Sequence, residues 1–162
     1  MESNGVFISP HALVETGVEI GSGSYVWEFT KIRSGAVIGA NVTIGMNVYI
    51  GPGVVIGPNC KIQNNAMIYE PAVIGAGVFI GPGVILTNDK HPKATKPSGE
   101  KLGPEDWNPV GVEIQDQASI GAGAICVAPV IVGKGAMVAA GAVLTKNVPN
   151  GETWVGIPAR RT

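Results

Sequence analysis

Residues 37–62 read VIGANVTIGMNVYIGPGVVIGPNCKI. Ile38, Ile44, Ile50, Ile56 and Ile62 fall six apart, and Val42, Val48, Val54 and Cys60 sit four places after the isoleucine that precedes each. Gly39, Gly45, Gly51 and Gly57 directly follow the aliphatic residue. Outward from this stretch the beat runs back to Ile8 and forward to Leu86, with small residues or valine at the second position (Ala12, Ser24, Thr30, Ala36, Ala66, Ala72, Val84). A six-residue period fits no helix, whose inward face recurs every 3.6 residues, and no plainly alternating strand. It fits a short strand and a turn, with one aliphatic and one small side chain facing inward per unit. The glycine after the aliphatic residue is expected to supply positive φ at the turn. One unit cannot bury its face alone, so the units must stack around a shared interior.

The beat resumes at Ile114 and passes through Ile120, Cys126, Val132, Val138 and Leu144, with Ala118, Ala124, Val130, Ala136, Ala142 and Val148 as the small positions. The step from Leu86 to Ile114 is not a multiple of six, so an insertion is looped out between two repeat blocks. One domain over residues 1–162 is expected. Its repeats run over about 8–86 and 112–149, its inserted loop over about 87–110 and its cap over 150–162.

Composition narrows the classes. The net charge is -1 with 14% charged residues, and no basic cluster suggests nucleic acid. Aromatics are only 6%, so valine, isoleucine and alanine must build the core. No apolar run is long enough for a membrane span, and the N-terminal stretch MESNGVFISP has no leader pattern, so a cytoplasmic protein is expected. Cys60 and Cys126, both at repeat positions, read as buried thiols. Two histidines, His11 and His91, are too few for a three-histidine zinc site, and no metal is expected.

The insertion opens with Thr87-Asn88-Asp89-Lys90-His91-Pro92. Its head is anchored by a rigid coil; its tail, rich in Lys, Pro, Gly and Glu, reads as a mobile exposed arm. Asn88, Asp89 and His91 are the chemistry-bearing residues there. The competing reading is an ordinary Asx turn with a solvated histidine.

The hexads resemble the hexapeptide-repeat acyltransferases, with their [Leu/Ile/Val]-Gly-x-x-[small]-x motif. That resemblance implies a left-handed parallel β-helix, three hexads to a coil, so roughly six coils or about 29 Å of stack. It also implies a homotrimer with active sites between subunits. The stretches NNAMIYEPAVIGAGVFIGPGV and GVFIGPGVILTNDKHPKA resemble one branch, the N-acetyltransferases of nucleotide-linked 3-amino sugars, which serve surface-polysaccharide synthesis. Carried over, Asn88 and His91 are the catalytic residues: Asn88 holds the reacting amine or a neighbouring hydroxyl, with an optional proton relay through His91 or solvent. Asp89, His91, Glu70 and Tyr69 line the acceptor pocket, with Arg33 as a further substrate contact. Relatives in this branch carry Trp-His-Phe near the start; this chain has Trp27-Glu28-Phe29, which removes any contact by that histidine. The C-terminal Gly156-Ile157-Pro158-Ala159-Arg160 resembles the segment that accompanies acetyl-coenzyme A, and it also reads as a cap over an open end. Ala122 and Ala140 are the expected turns under pantetheine, while Lys146, Arg160 and Arg161 are expected at the phosphates. Two alternatives stand beside amine acetylation. One is transfer to a hydroxyl of a sugar, serine or antibiotic, which would need His91 as base. The other is a β-helix scaffold without catalysis.

Overall fold

The computed structural model describes residues 5–162; Met1–Asn4, at the head of the stretch read above for a leader, lie outside it. Each hexad contributes a two- or three-residue strand, and every strand of the stack pairs in parallel with the strand one coil away. The first face stacks eight parallel strands: Phe7–Ile8, Tyr25–Val26, Thr43–Ile44, Lys61–Ile62, Phe79–Ile80, Ser119–Ile120, Met137–Val138 and Thr153–Val155. The second face carries seven, from Leu13–Val14 through Ile85–Leu86 to Val143–Leu144, and the third six, from Glu19–Ile20 to Val130–Val132. The fold is a left-handed parallel β-helix of triangular section. Six coils are complete. A seventh reaches the third face only through a bridge between Val132 and Val148.

Registers such as Ile44↔Ile62↔Ile80 put every aliphatic position directly over its equivalent, so the aliphatic residues from Ile32 to Ile120 form fully buried ladders. Two polar side chains occupy the small inward positions without cost. Ser24 Oγ donates to Gly39 O and accepts from Val42 N, both at 3.0 Å. Thr30 Oγ1 donates to Gly45 O at 2.7 Å and accepts from Val48 N at 3.1 Å. Cys60 and Cys126 are buried free thiols.

The glycines work differently from the expectation. Positive φ falls on the third residue after the aliphatic one, not the first: Asn41, Asn47, Asn59 and Asn65 at φ 56, 56, 61 and 63°, and Gly17, Gly35, Gly53 and Gly83 at the same place in other hexads. Asparagine tolerates this region because its short side chain finds local partners, here Asn47 Nδ2 to Asn65 Oδ1 at 2.8 Å. The glycine straight after the aliphatic residue is needed for contact between coils. A Cβ on Gly39 would stand 2.6 Å from Pro58 N and 2.8 Å from Gly57 C.

The inserted loop replaces one corner. After Leu86 the next third-face strand is due six residues on; it arrives at Ile114, in register with Ile74. The insertion therefore leaves the stacking order intact. At the other end, Arg160–Arg161 pair antiparallel with Thr153–Val155 and close the exposed edge of the first face.

Candidate active site

Three corners join the three faces. The first, between first and second faces, includes Gly81–Val84, Gly121–Ala124 and Ala139–Ala142. The second, between second and third faces, includes Arg33–Ala36, Gly51–Val54, Tyr69–Ala72 and the loop. The third lies between third and first faces. The residues singled out from the sequence fall on two of these corners.

Arg33, Tyr69, Glu70, Asn88, Asp89, His91 and Lys146 share the second corner or its loop. Tyr69 N donates to Leu86 O at 3.3 Å, so Tyr69 underlies Thr87 and Glu70 underlies Asn88. Asn88 is held at the loop's base. Its carbonyl accepts from Val110 N at 3.0 Å, and beside it Thr87 Oγ1 accepts from Ala128 N at 3.0 Å in the coil above. Asp89 Oδ1 accepts from His91 N at 2.8 Å, an Asx turn. The His91 ring is exposed, and no carboxylate orients it among the described residues. Glu70 Oε2 is buried without a hydrogen-bond partner among the described residues. Arg33 Nε lies 2.7 Å from Glu15 Oε1, and its Nη1 reaches Tyr49 Oη at 3.4 Å. The Ser34 backbone N–H, and after it the Arg33 guanidinium, hold the Glu15 carboxyl below the usual range.

The arm folds back on itself, which its composition did not announce. Thr95 and Lys101 form an antiparallel bridge, and Pro104–Asp106 make a 3₁₀ turn. Lys96 Nζ pairs with Asp106 at 3.0 Å and Glu100 at 3.7 Å. The Gly103 N–H, and then Lys96, hold the Asp106 carboxyl below its ordinary value. The fold encloses an open cavity of about 730 Å³ lined by Asp89, His91, Lys93, Leu102, Trp107 and Asn108 among others. Asp89 and His91 reach this cavity; Asn88, Glu70 and Tyr69 do not line it.

Ala122, Ala140 and Pro158 gather on the first corner. Here Gly83, Gly123 and Gly141 occupy the positive-φ place in successive coils, and a Cβ on any of them would meet nothing within 4 Å. The tip of the corner thus carries nothing larger than Pro82, Ala122 and Ala140 through three coils; the glycine N–H groups are bonded to the coil below, and among the described residues Ala122 N and Ala140 N have no backbone acceptor. A groove of about 250 Å³ lined by Phe79, Ser119, Gly121, Met137, Ala139 and Ala140 runs beside it. The cap crosses its top: Val143 N donates to Gly156 O at 3.1 Å, and Ala159 N to Val143 O at 2.8 Å. Arg160 is exposed next to this crossing, with Nη1 on Ala159 O at 2.8 Å, while Arg161 pairs with Glu152 at 3.2 Å. Lys146 is separated from these residues, at the second corner of the seventh coil.

The two groups therefore lie at opposite ends of the second face. About five residues of extended chain, roughly 16 Å, separate Ala122 from the second corner of its own coil. The sequence reading missed Glu15 and Tyr49, whose pairing with Arg33 follows only once the 18-residue coil is laid out, and the run of first-corner glycines, visible as Gly83, Gly123 and Gly141.

Two family profiles match the chain. "Bacterial transferase hexapeptide (six repeats)" matches residues 29–57, 35–70 and 53–88, and "Hexapeptide repeat of succinyl-transferase" matches 110–146. Together they cover more than half of it. A 2,3,4,5-tetrahydropyridine-2,6-dicarboxylate N-acetyltransferase of Staphylococcus aureus is 51% identical over 49 residues, 30% of this chain and 20% of that protein. Among solved structures, WeeI from Acinetobacter baumannii AYE is 30% identical with a TM-score of 0.56, over 99% of this chain and 57% of that one. The acetyltransferase domain of PglB from Neisseria gonorrhoeae, in complex with acetyl coenzyme A, is 24% identical with a TM-score of 0.55, over 98% and 58%. The chain thus spans a fifth of that curated relative and under two thirds of both structures.

Proposed function

The chain belongs to the hexapeptide-repeat transferases, and from that membership we propose that it is an acetyl-coenzyme A-dependent N-acetyltransferase whose acceptor is the 3-amino group of a UDP- or dTDP-linked sugar. The observation that carries the reading is the division of the site into two corners with opposite characters. The first is a bare backbone edge beside an apolar groove; the second is a polar ridge headed by Asn88.

The bare edge suits pantetheine, a thin amide chain that can exchange hydrogen bonds with exposed backbone groups. Ala122, Ala140 and the Pro158 crossing would hold it, and Arg160 would meet a phosphate. Acetyl-coenzyme A supplies the thioester. The amine nitrogen attacks its carbonyl carbon, a C–N bond forms and the C–S bond breaks. Coenzyme A leaves as the thiol after taking up the proton the nitrogen loses. A backbone N–H of the bare edge, that of Ala122 or Ala140, would stabilise the oxyanion. An amine titrating at about 7.7–8.0 is partly neutral near neutral pH, so orientation matters more than a strong base. Asn88, fixed at the loop's base, orients the amine; placement of this kind contributes about 7–11 kcal/mol when well aligned.

The His91 ring, exposed and unoriented by a carboxylate, favours the amine over the hydroxyl acceptor, for which a base would be required. The S. aureus relative's name supports transfer to nitrogen in general. Because donor and acceptor corners are separated by a whole face, each site would combine the first corner of one copy with the second corner of another, as in a homotrimer. The second face, between the two corners, then points at the threefold axis; its outward row is Leu13, Lys31, Tyr49, Met67, Ile85, Ile125 and Val143, and it is apolar from Met67 onward.

The test is coenzyme A release from acetyl-coenzyme A with UDP- and dTDP-linked 3-amino sugars beside their hydroxyl counterparts. Turnover confined to an amino sugar supports the reading. Turnover confined to hydroxyl acceptors, lost in His91→Ala, overturns it.

A further inference from the structure

The second corner continues below the loop with an organised polar strip that acetyl transfer itself does not require. The corner repeats with each coil, so Tyr69, Gly51 and Arg33 lie one, two and three layers beneath Thr87. At about 4.8 Å per layer, Arg33 is about 14 Å below the loop's exit. Its guanidinium turns up toward the loop, to Tyr49 Oη at 3.4 Å. Tyr49 and Tyr69 stand together on the outer surface, ring centroids 5.2 Å apart. Gly51, in the same coil as Tyr49 and directly beneath Tyr69, carries no side chain, and Glu70 bends into that space: a Cβ on Gly51 would meet Glu70 N at 2.8 Å and collide with Glu70 Oε2.

Two features separate this strip from an incidental surface ion pair, which is worth little. Arg33 is held from two sides. Its Nε lies 2.7 Å from Glu15 Oε1, an ion-pair contact without hydrogen-bond alignment, and Glu15 is itself fixed through Oε2 by the Ser34 N–H at 2.9 Å. Among the described residues Nη2 has no partner, so the fork is oriented yet has a free arm. Second, Glu70 packs its carboxyl over Gly51, where Asn64, Asp116 and Asn150 in other hexads accept from the backbone N–H after the glycine; here that residue is Pro52, which has no N–H, so Oε2 is buried and unpartnered one layer below Asn88. From top to bottom the strip offers an amide, an acceptor oxygen, two aromatic rings and a cation.

We propose that the acceptor lies down this corner toward the N-terminal end and that Arg33, positioned by Glu15, binds a phosphate of its nucleoside diphosphate. This rests on the reading above for the place of the amine at Asn88. A sugar ring then lies beside Asn88 and the Glu70 corner. Its diphosphate descends past the tyrosine pair to the guanidinium, whose fork matches phosphate oxygens. A small free amine would leave Arg33 idle, so the strip selects the nucleotide-linked substrate.

The experiment is calorimetric titration of the full chain with UDP, dTDP, uridine, thymidine and inorganic pyrophosphate. It uses wild type, Arg33→Met and Glu15→Gln, with acetyl-coenzyme A titrated into each to show an intact fold. The expected result is that UDP or dTDP binds wild type, with Kd rising about 10- to 100-fold in Arg33→Met and less in Glu15→Gln. Nucleoside binding should stay weak and unmoved, and pyrophosphate should bind less tightly than the nucleotide. Equal nucleotide affinity in wild type and both variants overturns the proposal, as does absence of nucleotide binding. Pyrophosphate binding as tight as UDP overturns the nucleoside assignment. Arg33-dependent nucleotide binding without acetyl transfer would sink the acetyltransferase reading while leaving this one standing. Transfer to a nucleotide-linked amino sugar with unchanged KM in both variants would do the reverse.

Discussion

Substituting two glycines in neighbouring coils separates the two tasks glycine performs in this fold. Gly39 follows Ile38, and its φ is not positive; Gly53 is the third residue after Ile50 and has φ 65°. A Cβ on Gly39 would meet Pro58 N at 2.6 Å and Gly57 C and Pro58 Cα at 2.8 Å, all backbone atoms of the next coil. Real Cβ atoms do not approach so closely, so the coils must part locally by several tenths of an ångström. Overpacking of this sort costs about 1–3 kcal/mol. At Gly53 a Cβ would meet nothing within 4 Å, and only backbone conformation resists it. Alanine there costs about 1–2 kcal/mol for the left-handed region, offset by about 0.4–1 kcal/mol from a less flexible unfolded chain. Asparagine should discriminate further, since the chain already places Asn41, Asn47, Asn59 and Asn65 in the position Gly53 occupies. Gly53→Asn should therefore lie close to wild type, whereas Gly39→Asn should be at least as damaging as Gly39→Ala. At about 2–4 °C per kcal/mol for a chain of this size, the Gly39 variants should melt roughly 2–12 °C lower. Circular dichroism melts at fixed protein concentration would read this. A Gly39→Asn variant as stable as wild type would refute contact between coils as the reason for that glycine.

Ile62→Ala, in the middle of a fully buried ladder, should cost about 2–5 kcal/mol in urea unfolding; a loss below about 1 kcal/mol would mean the interior closes around the gap. Burial pushes the Cys126 thiol up to about 12, so iodoacetamide near pH 8 should label it only after unfolding, and native labelling would contradict the packing. Glu15 has a carboxyl pKa lowered in the fold, so its contribution to stability is present above the unfolded value of about 4.3 and is lost as pH falls through the folded value. The difference in melting temperature between wild type and Glu15→Gln should therefore be present near neutral pH and close in acid; a pH-independent difference would point away from the Arg33 pair. Asn88→Ala should lower kcat by about 100-fold through misplacement of the amine, with His91→Ala losing less, and the opposite ranking would assign the base role to His91.

The stack itself was legible because the six-residue beat is set by burial, and burial acts on every hexad alike. Ile38 and Ile44 announce the same inward position whatever their neighbours do. Glycine was not legible in this way. Gly51 and Gly53 lie two residues apart in the same hexad, yet one makes room for the coil above and the other adopts positive φ. Composition does not distinguish them; the backbone does. The separation of Ala122 and Ala140 from Asn88 is implicit in the sequence, but it requires counting hexads by threes and carrying that phase across the insertion. The strands show that the insertion replaces a corner, and so preserves the phase. The Arg33 pairings with Glu15 and Tyr49 come from the coil repeat and look unrelated along the chain. The arm was legible as exposed, while its Lys96–Asp106 pair, spanning a turn of irregular backbone, carries no periodic signal.

Subunit complementation tests the central claim most directly. Asn88→Ala disables the second corner, and Ala140→Trp blocks the groove beside the first. Each variant alone should fail to release coenzyme A from acetyl-coenzyme A with the amino-sugar acceptor. If the site is shared between copies, a mixture dissociated and reassembled at equal ratio should recover activity. About a quarter of its interfaces would then join an intact first corner to an intact second one. A mixture that assembles, binds acetyl-coenzyme A and remains inactive would contradict a site built from two chains.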